Sequence, residues 1–477
     1  MNSSAELSGP GATGVLAAFA AGSVKASRSH ADEVSHALVD TVGVAVGAAK
    51  QPGDQILRAW SAAEGASGQA TIWTSGETTS ASMAALVNGA AAHLLDYDDI
   101  SPSMPMHPSA VLFPALLAVA EPRRISGERL VSAYDVGAAT FRALADLLPQ
   151  HVHYARGWHT TSTVGRLAAV AALARLVGAG EDVTRNALGM ASSLAAGSRP
   201  NFGSMTKPFH AGAAARDAVM ALELAEAGFT ANINELEAPA GFLERYGDPE
   251  LAPLGDAGET LGERLEYWLE SWPGDWGLKR YPACYGTHRG IDAVLGLRAE
   301  VAGRTAQAIR ATVHPRGTRP LVAYPPKDAT AAKFSLEYAL ATALVRGEVR
   351  FSDFTEDAFA DGAVRAVMAR VTVAESAIPP LGEAGFTSGY AVVDVELEDG
   401  ETLSRRIDIT RGDARNRLSG VEVRSKFLDC ADFGGLSKDA AVELYKALSA
   451  LTGGGELASF SAALSRHART AHKEAVA

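Results

Sequence analysis

The feature that most limits the fold is a helical period sustained from Arg28 to about Glu270, Ala-rich and interrupted by glycines, with apolar residues three and four apart. Leu167, Val170, Leu173 and Leu176 form one such stripe, which ends at Val177 and Gly178-Ala179-Gly180. Alanine side chains let helix axes approach closely, so this half is expected to be an all-α domain of tightly packed helices. Gly14 to Val24 reads as an amphipathic first helix. It lacks the preceding Lys or Arg of a signal peptide and follows Glu6 instead.

The period stops at Ser271 to Gly277 (SWPGDWG), where Pro and Gly interrupt it. Strand signals then appear at Ile309 to His314 and Val367 to Val373. In a longer segment Val393, Val395 and Leu397 alternate with Asp394, Glu396 and Glu398, and Asp399-Gly400 supplies a tight turn into Leu403 to Ile409. Helical texture returns from Gly420. At 477 residues the chain exceeds what one core usually organises. The expected class is therefore α+β: a large helical domain over residues 1–271, a smaller α/β domain over 272–405, and a return to the first over 406–477.

Charged residues make up 21% and hydrophobic ones 47%, which is globular rather than disordered composition. With a net charge of −12 and acidic residues spread along the chain, nucleic acid is a poor partner. An anionic substrate would need a locally basic pocket. Cys284 and Cys430 are the two cysteines, too few for a disulfide framework or a cysteine-held iron–sulfur cluster, and they fit a reducing cytoplasm. No run approaches the roughly 18 apolar residues of a membrane span.

Four segments gather ionisable residues with Gly, Pro and Thr: His93 to His107 (HLLDYDDISPSMPMH), Tyr154 to Thr163 (YARGWHTTST), Met205 to His210 (MTKPFH) and Lys279 to His288 (KRYPACYGTH). Each has a plain reading. Asp98-Asp99 suits a solvated turn or helix cap, a lone histidine is usually a packing residue, and Lys207 before Pro208 suits a helix start. Metal binding by Asp96, Asp98 and Asp99 with His151-x-His153 is the sharper alternative, but neither HExxH nor CxxC accompanies them, so no metal is expected. Gly9 to Gly14 (GPGATG) has no preceding strand, so no phosphate cradle and no nucleotide cofactor are expected.

HLLDYDD followed by HPSAVLFPALLAVAE resembles the Asp-rich loop and helix of the MmgE/PrpD family, whose activities include 2-methylcitrate dehydration, cis-aconitate decarboxylation and iminodisuccinate epimerisation. RGWHTTSTVGRLAAVAALARLVG, TKPFHAGAAARDAV, KRYPACYGTH, AAKFSLEYALATAL and RNRLSGVEVRSKF are similar to further family blocks in the same order, from about residue 30 to 440. The resemblance implies a helical domain with an α/β lid, a homodimer, a cofactor-independent active site in the cleft between the domains and a small polycarboxylate substrate. Carried over by motif, the site falls on Asp96, His107, His159, Lys207 and Lys279, with Tyr154 and His210 as further substrate-binding candidates. One departure stands out: decarboxylase members resemble DFDDT, whereas Ile100 here follows Asp99.

Such substrates react through a carbanion of enediolate character next to a carboxylate. Lys207 and Lys279 suit carboxylates and developing negative charge, His107 and His159 suit proton transfer, and Asp96 would orient or balance one of them. The expected activity is a lyase, dehydratase or decarboxylase. An epimerase with two bases facing one carbon is the alternative, and a binding protein of the same fold without activity comes third.

Overall fold

The structure, a computed structural model, describes residues 11–22, 30–66, 68–148, 150–248, 257–322, 324–386 and 389–476. The chain forms two compact units, one of residues 1–276 with 420–477 and one of residues 277–419. Its class is α+β, helices predominating and one small mixed sheet. Among the described residues no helix is long and apolar enough to cross a membrane.

In the first unit the helix Thr160–Val177 is buried at every position from Thr160 to Ala174, so the Leu167, Val170, Leu173 and Leu176 stripe is one side of a helix packed all round. Gly178, at φ 74°, caps it in the left-handed conformation that ends helices. Helices Gly127–Leu147, Thr206–Glu226 and Ser109–Arg123 surround it. Alanine is the commonest of their buried residues, so little separates the backbones where it lies at a contact.

One close approach is between helix Ala81–Leu94 and helix Thr206–Glu226. A Cβ on Gly89 would stand 2.8 Å from the Gly212 Cα, and one on Gly212 would overlap the Leu86 carbonyl oxygen. Two glycines therefore let these backbones touch, and the crossing brings the end of the first helix beside the start of the second. Helices Ala31–Gly47 and Gly420–Gly434 pack in the same manner: a Cβ on Gly43 would meet the Phe427 ring at 2.7 Å, and one on Gly434 would overlap the Val46 carbonyl oxygen.

The helical half is not purely α. Strands β1 (Ala70–Thr71) and β2 (Thr78–Thr79) form a short antiparallel ladder. Two residues are too few to show alternation in a sequence, and neighbouring helices supply the stabilising contacts. Glu121 accepts from the Thr71 amide at 2.8 Å and its hydroxyl at 2.6 Å, while Asn88 donates to the Thr71 carbonyl at 2.9 Å and accepts from the Trp73 amide at 2.8 Å. The first helix runs over Ala12–Ala21 rather than 14–24, and residues 1–10 and 23–29, with part of the Gly9 to Gly14 segment, lie outside the described residues.

The second unit is built on a four-stranded sheet in the order β4-β3-β5-β6, with β3 (Ala306–Val313) parallel to β4 (Val371–Glu375) and antiparallel to β5 (Ala391–Leu397), which pairs with β6 (Thr402–Ile407). Along β5, Val393, Val395 and Leu397 are buried and Glu396 is exposed, and Gly400 at φ 87° makes the turn that follows. Helices Tyr285–Val301 and Leu336–Arg346 pack with the buried sheet residues in one core. Val367 and Met368, read above as strand, instead end helix Gly362–Met368. The Asp361 carboxylate caps it at the Ala363 amide, 2.8 Å away, and Val364 and Met368, four apart, bury one face, which outweighs the local strand preference.

Gly212→Ala is expected to destabilise the first unit by about 1–3 kcal/mol, because the added methyl meets backbone that cannot yield. Gly262, in helix Ala257–Ser271, has only ordinary contact for a Cβ, with Val15 at 3.6 Å. Gly262→Ala should therefore stabilise the same unit by about 0.5–1 kcal/mol. Thermal and urea unfolding of the two variants must show opposite signs.

Candidate active site

Helix Ala81–Leu94 carries His93 in its last turn, and the chain then leaves it through Asp96, whose φ of 53° is a left-handed conformation that aspartate tolerates better than most residues. Helix Thr206–Glu226 begins beside this turn. Its buried Lys207 places Nζ 2.5 Å from Asp96 Oδ1, the charge pairing that burial of an ammonium demands.

Asp98 and Asp99 are both fully buried, not the solvated turn that an Asp-Asp pair suggests. Asp98 Oδ2 accepts from His93 Nδ1 at 2.8 Å and lies 3.2 Å from His107 Nδ1. Burial acts to raise the Asp98 carboxyl, but the two imidazoles beside it hold it well below the usual carboxylate range. His107 Nδ1 is also 2.8 Å from the Asp99 carbonyl oxygen, and the His107 amide donates to Thr161 Oγ1 at 3.0 Å. A carbonyl and a carboxylate at Nδ1 place the proton there, so Nε2 of neutral His107 carries the lone pair.

Asp99 takes the opposite protonation state. Burial pushes it up to about 8, and the neighbouring Asp98 and Asp40 carboxylates act in the same direction against hydrogen bonds from Ser109. The Ser109 amide donates to Asp99 Oδ1 at 3.2 Å and its hydroxyl pairs with Oδ2. That hydroxyl is 2.5 Å from the Tyr134 hydroxyl, which accepts from Trp276 Nε1 at 3.0 Å. Two adjacent aspartates thus divide into one ionised and one protonated at neutral pH.

His93 is pushed down to about 4, chiefly by burial, and stands neutral with its ring centroid 4.4 Å from that of His107. His159 caps helix Thr160–Val177, and its Nδ1 lies 3.1 Å from His210 Nδ1, so one of the two donates and the other accepts. Burial lowers both, His159 well below its ordinary value, with the positive charge of Lys207 acting on each in the same direction. Phe202 packs edge-on to His159 at 4.9 Å and lies 5.4 Å from Lys207 Nζ.

The fold thus gathers Asp96, His107, His159, Lys207 and His210 from three separate segments, and adds His93 and Asp98. The Tyr154 ring lies under the Arg199 guanidinium at 3.4 Å. Lys279 is buried and belongs to the second unit. His153 uses both ring nitrogens, with the Tyr246 carbonyl at 3.0 Å and Thr163 Oγ1 at 2.9 Å, and so stands apart from the aspartates; the His151 side chain lies outside the described residues. One donor atom each from His93, Asp98 and His107 lies within 4.8 Å of the others, close enough to hold a metal ion. Within the cluster Asp98 Oδ2 is shared by the two imidazoles, while the buried Asp98 Oδ1 and His93 Nε2 have no hydrogen-bond partner among the described residues.

The family profile of the MmgE/PrpD N-terminal domain matches residues 15–253, and that of the C-terminal domain matches residues 281–449. The chain belongs to the MmgE/PrpD family. Human cis-aconitate decarboxylase is 30% identical over 356 residues, covering 72% of this chain and 71% of that enzyme. The mouse enzyme of the same name is 30% identical over 357 residues, with 72% and 70% covered, and the Aspergillus terreus one is 24% identical over 348 residues, with 68% and 69% covered. In this MmgE/PrpD chain the C-terminal match runs past Ser419 into the helical unit, so it takes in helix Gly420–Gly434, which packs on helix Ala31–Gly47.

Two opposite pH dependences follow. His93, His153, His159 and His210 bind protons less readily folded than unfolded, so stability should fall as pH drops from about 6.5 toward 4, less steeply in His93→Gln. Asp99 retains its proton in the folded state up to about 8, so its contribution to stability declines as pH rises from about 4 to 8. The stability of Asp99→Asn relative to wild type should therefore increase over that window and level off above it. Urea unfolding from pH 4 to 9 reads both.

Proposed function

We propose that the protein is a lyase acting on a small di- or tricarboxylate, with proton transfer at a carbon next to a carboxylate, and that cis-aconitate is the first substrate to test. The observation that carries this reading is His107, a buried imidazole with its Nδ1 held by Asp98 and the Asp99 carbonyl, standing in one cluster with the Lys207–Asp96 pair. The names of the curated relatives support the same class.

In decarboxylation the carbon–carbon pair flows into the allylic system as carbon dioxide leaves, and imidazolium His107 delivers a proton to the far carbon, so one proton is consumed. In dehydration neutral His107 removes the proton and, as imidazolium, can return it to the departing hydroxyl, so that water leaves and no net proton is consumed. Both routes build negative charge, which buried Lys207, with part of its charge already shared with Asp96, would offset. His93 stays neutral at working pH and orients Asp98. Lys279 enters this reading as a second carboxylate-binding cation on the strength of its motif. A homodimer in the cytoplasm completes the reading.

Incubation in heavy water with cis-aconitate, 2-methylcitrate and iminodisuccinate in turn, followed by NMR, reports the reaction. Deuterium-bearing itaconate indicates decarboxylation, new vinylic signals from methylcitrate indicate dehydration, and deuterium at the stereocentre with loss of optical purity indicates epimerisation. His107→Ala should lower kcat by about a hundredfold or more, and Lys207→Ala and Lys279→Ala should chiefly raise KM. Full turnover in His107→Ala removes the proposed role. Turnover should also survive exhaustive chelation, and a loss reversed by one divalent ion would instead assign the His93, Asp98 and His107 cluster to a metal.

A further inference from the structure

We propose that Lys426 is a positioning residue for the loop that carries Asp96 and Asp98, a role that rests on the proton-transfer reading above. Lys426 lies on helix Gly420–Gly434, 329 residues from the loop in sequence, and is almost wholly buried. Its Nζ is 2.8 Å from the Tyr97 carbonyl oxygen, 2.5 Å from Asp40 Oδ1 and 3.9 Å from the centre of the Tyr97 ring.

Tyr97 is the residue between the two carboxylates. Asp96 leaves the preceding helix at φ 53° to meet Lys207, and Asp98 turns back toward His93 and His107. The ammonium holds the peptide joining Tyr97 to Asp98 through its carbonyl, so it sets the direction from which the Asp98 side chain departs. Through Asp98 it reaches His107, the proposed proton carrier. The ring of the same tyrosine lies against the ammonium, which limits rotation on either side of that peptide.

A purely structural role does not require this chemistry. A buried ion pair can usually be replaced by apolar side chains of similar volume without loss of stability. What an apolar pair lacks is a donor to the Tyr97 carbonyl. The contact depends on close helix packing, since Gly43 against Phe427 and Gly434 against the Val46 carbonyl bring helix Gly420–Gly434 near enough to helix Ala31–Gly47 for Lys426 to meet Asp40. Asp40 then serves as the counter-charge that lets an ammonium stay buried.

The test compares wild type, Asp40→Asn and the double variant Asp40→Asn/Lys426→Met. The double variant removes both charges together, so no uncompensated charge stays buried, whereas Asp40→Asn keeps the donor to Tyr97 but leaves its charge without a carboxylate, so it should melt below wild type and is compared where it is folded. The double variant should melt close to wild type yet show kcat reduced about tenfold to a hundredfold, with KM changed by less than about threefold. Asp40→Asn should lose much less. In protein labelled with 15N-histidine, the His93 and His107 signals should move in the double variant and stay near wild type in Asp40→Asn. Wild-type kcat and unmoved imidazole signals in a folded double variant would overturn the proposal. If wild type turns over none of the acids, the reaction reading fails, and the imidazole signals alone then decide whether Lys426 positions the loop.

Discussion

A carboxylate that is ionised and completely buried cannot stand without partners, and Asp98 is such a group. Removing its charge from water costs several kcal/mol unless hydrogen bonds and opposite polarity replace the solvent. His93 and His107 provide both, and each is directed by the need to do so. His93 is fixed by the end of its helix, and His107 by the Thr161 hydroxyl and the Asp99 carbonyl. The orientation of His107 follows from this arrangement, because its Nδ1 is committed to the Asp99 carbonyl and Asp98, leaving Nε2 as the other ring nitrogen.

The same burial that makes Asp98 demanding sorts the other titratable groups. Asp99 escapes a second buried charge by keeping its proton, and His93, His159 and His210 avoid becoming cations near Lys207 by staying neutral. The Lys207 ammonium, paired with Asp96, acts on all three of these imidazoles, and Arg166 acts on His210 as well.

Glycine makes the geometry possible. Where the helix carrying His93 crosses the helix carrying Lys207 and His210, Gly89 and Gly212 let the backbones touch, so side chains from the two reach one another. A second glycine-lined contact returns the C-terminal segment to the helical unit and delivers Lys426 beneath the loop. The chain's departure at Gly277 and return at Gly420 therefore bears on the site as well as on the fold.

The sustained 3.6-residue period, its interruption at SWPGDWG and the alternation before Asp399-Gly400 made the α+β class legible in the sequence, because each reflects a local preference with its own period. The motif blocks likewise marked Asp96, His107, His159, Lys207 and His210. The two-residue ladder β1–β2 and the helical end at Met368 were not legible, because Glu121, Asn88 and the packing around Val364 decide them from elsewhere in the chain. Nor was the central role of His93 and Asp98: an Asp-Asp pair suits a capped turn in most settings, and only the crossing of two helices makes it a buried ion. Which aspartate keeps its proton, which histidine nitrogen is open and which distant lysine holds the loop are settled by burial and distance. Those quantities exist only once segments hundreds of residues apart have been packed together.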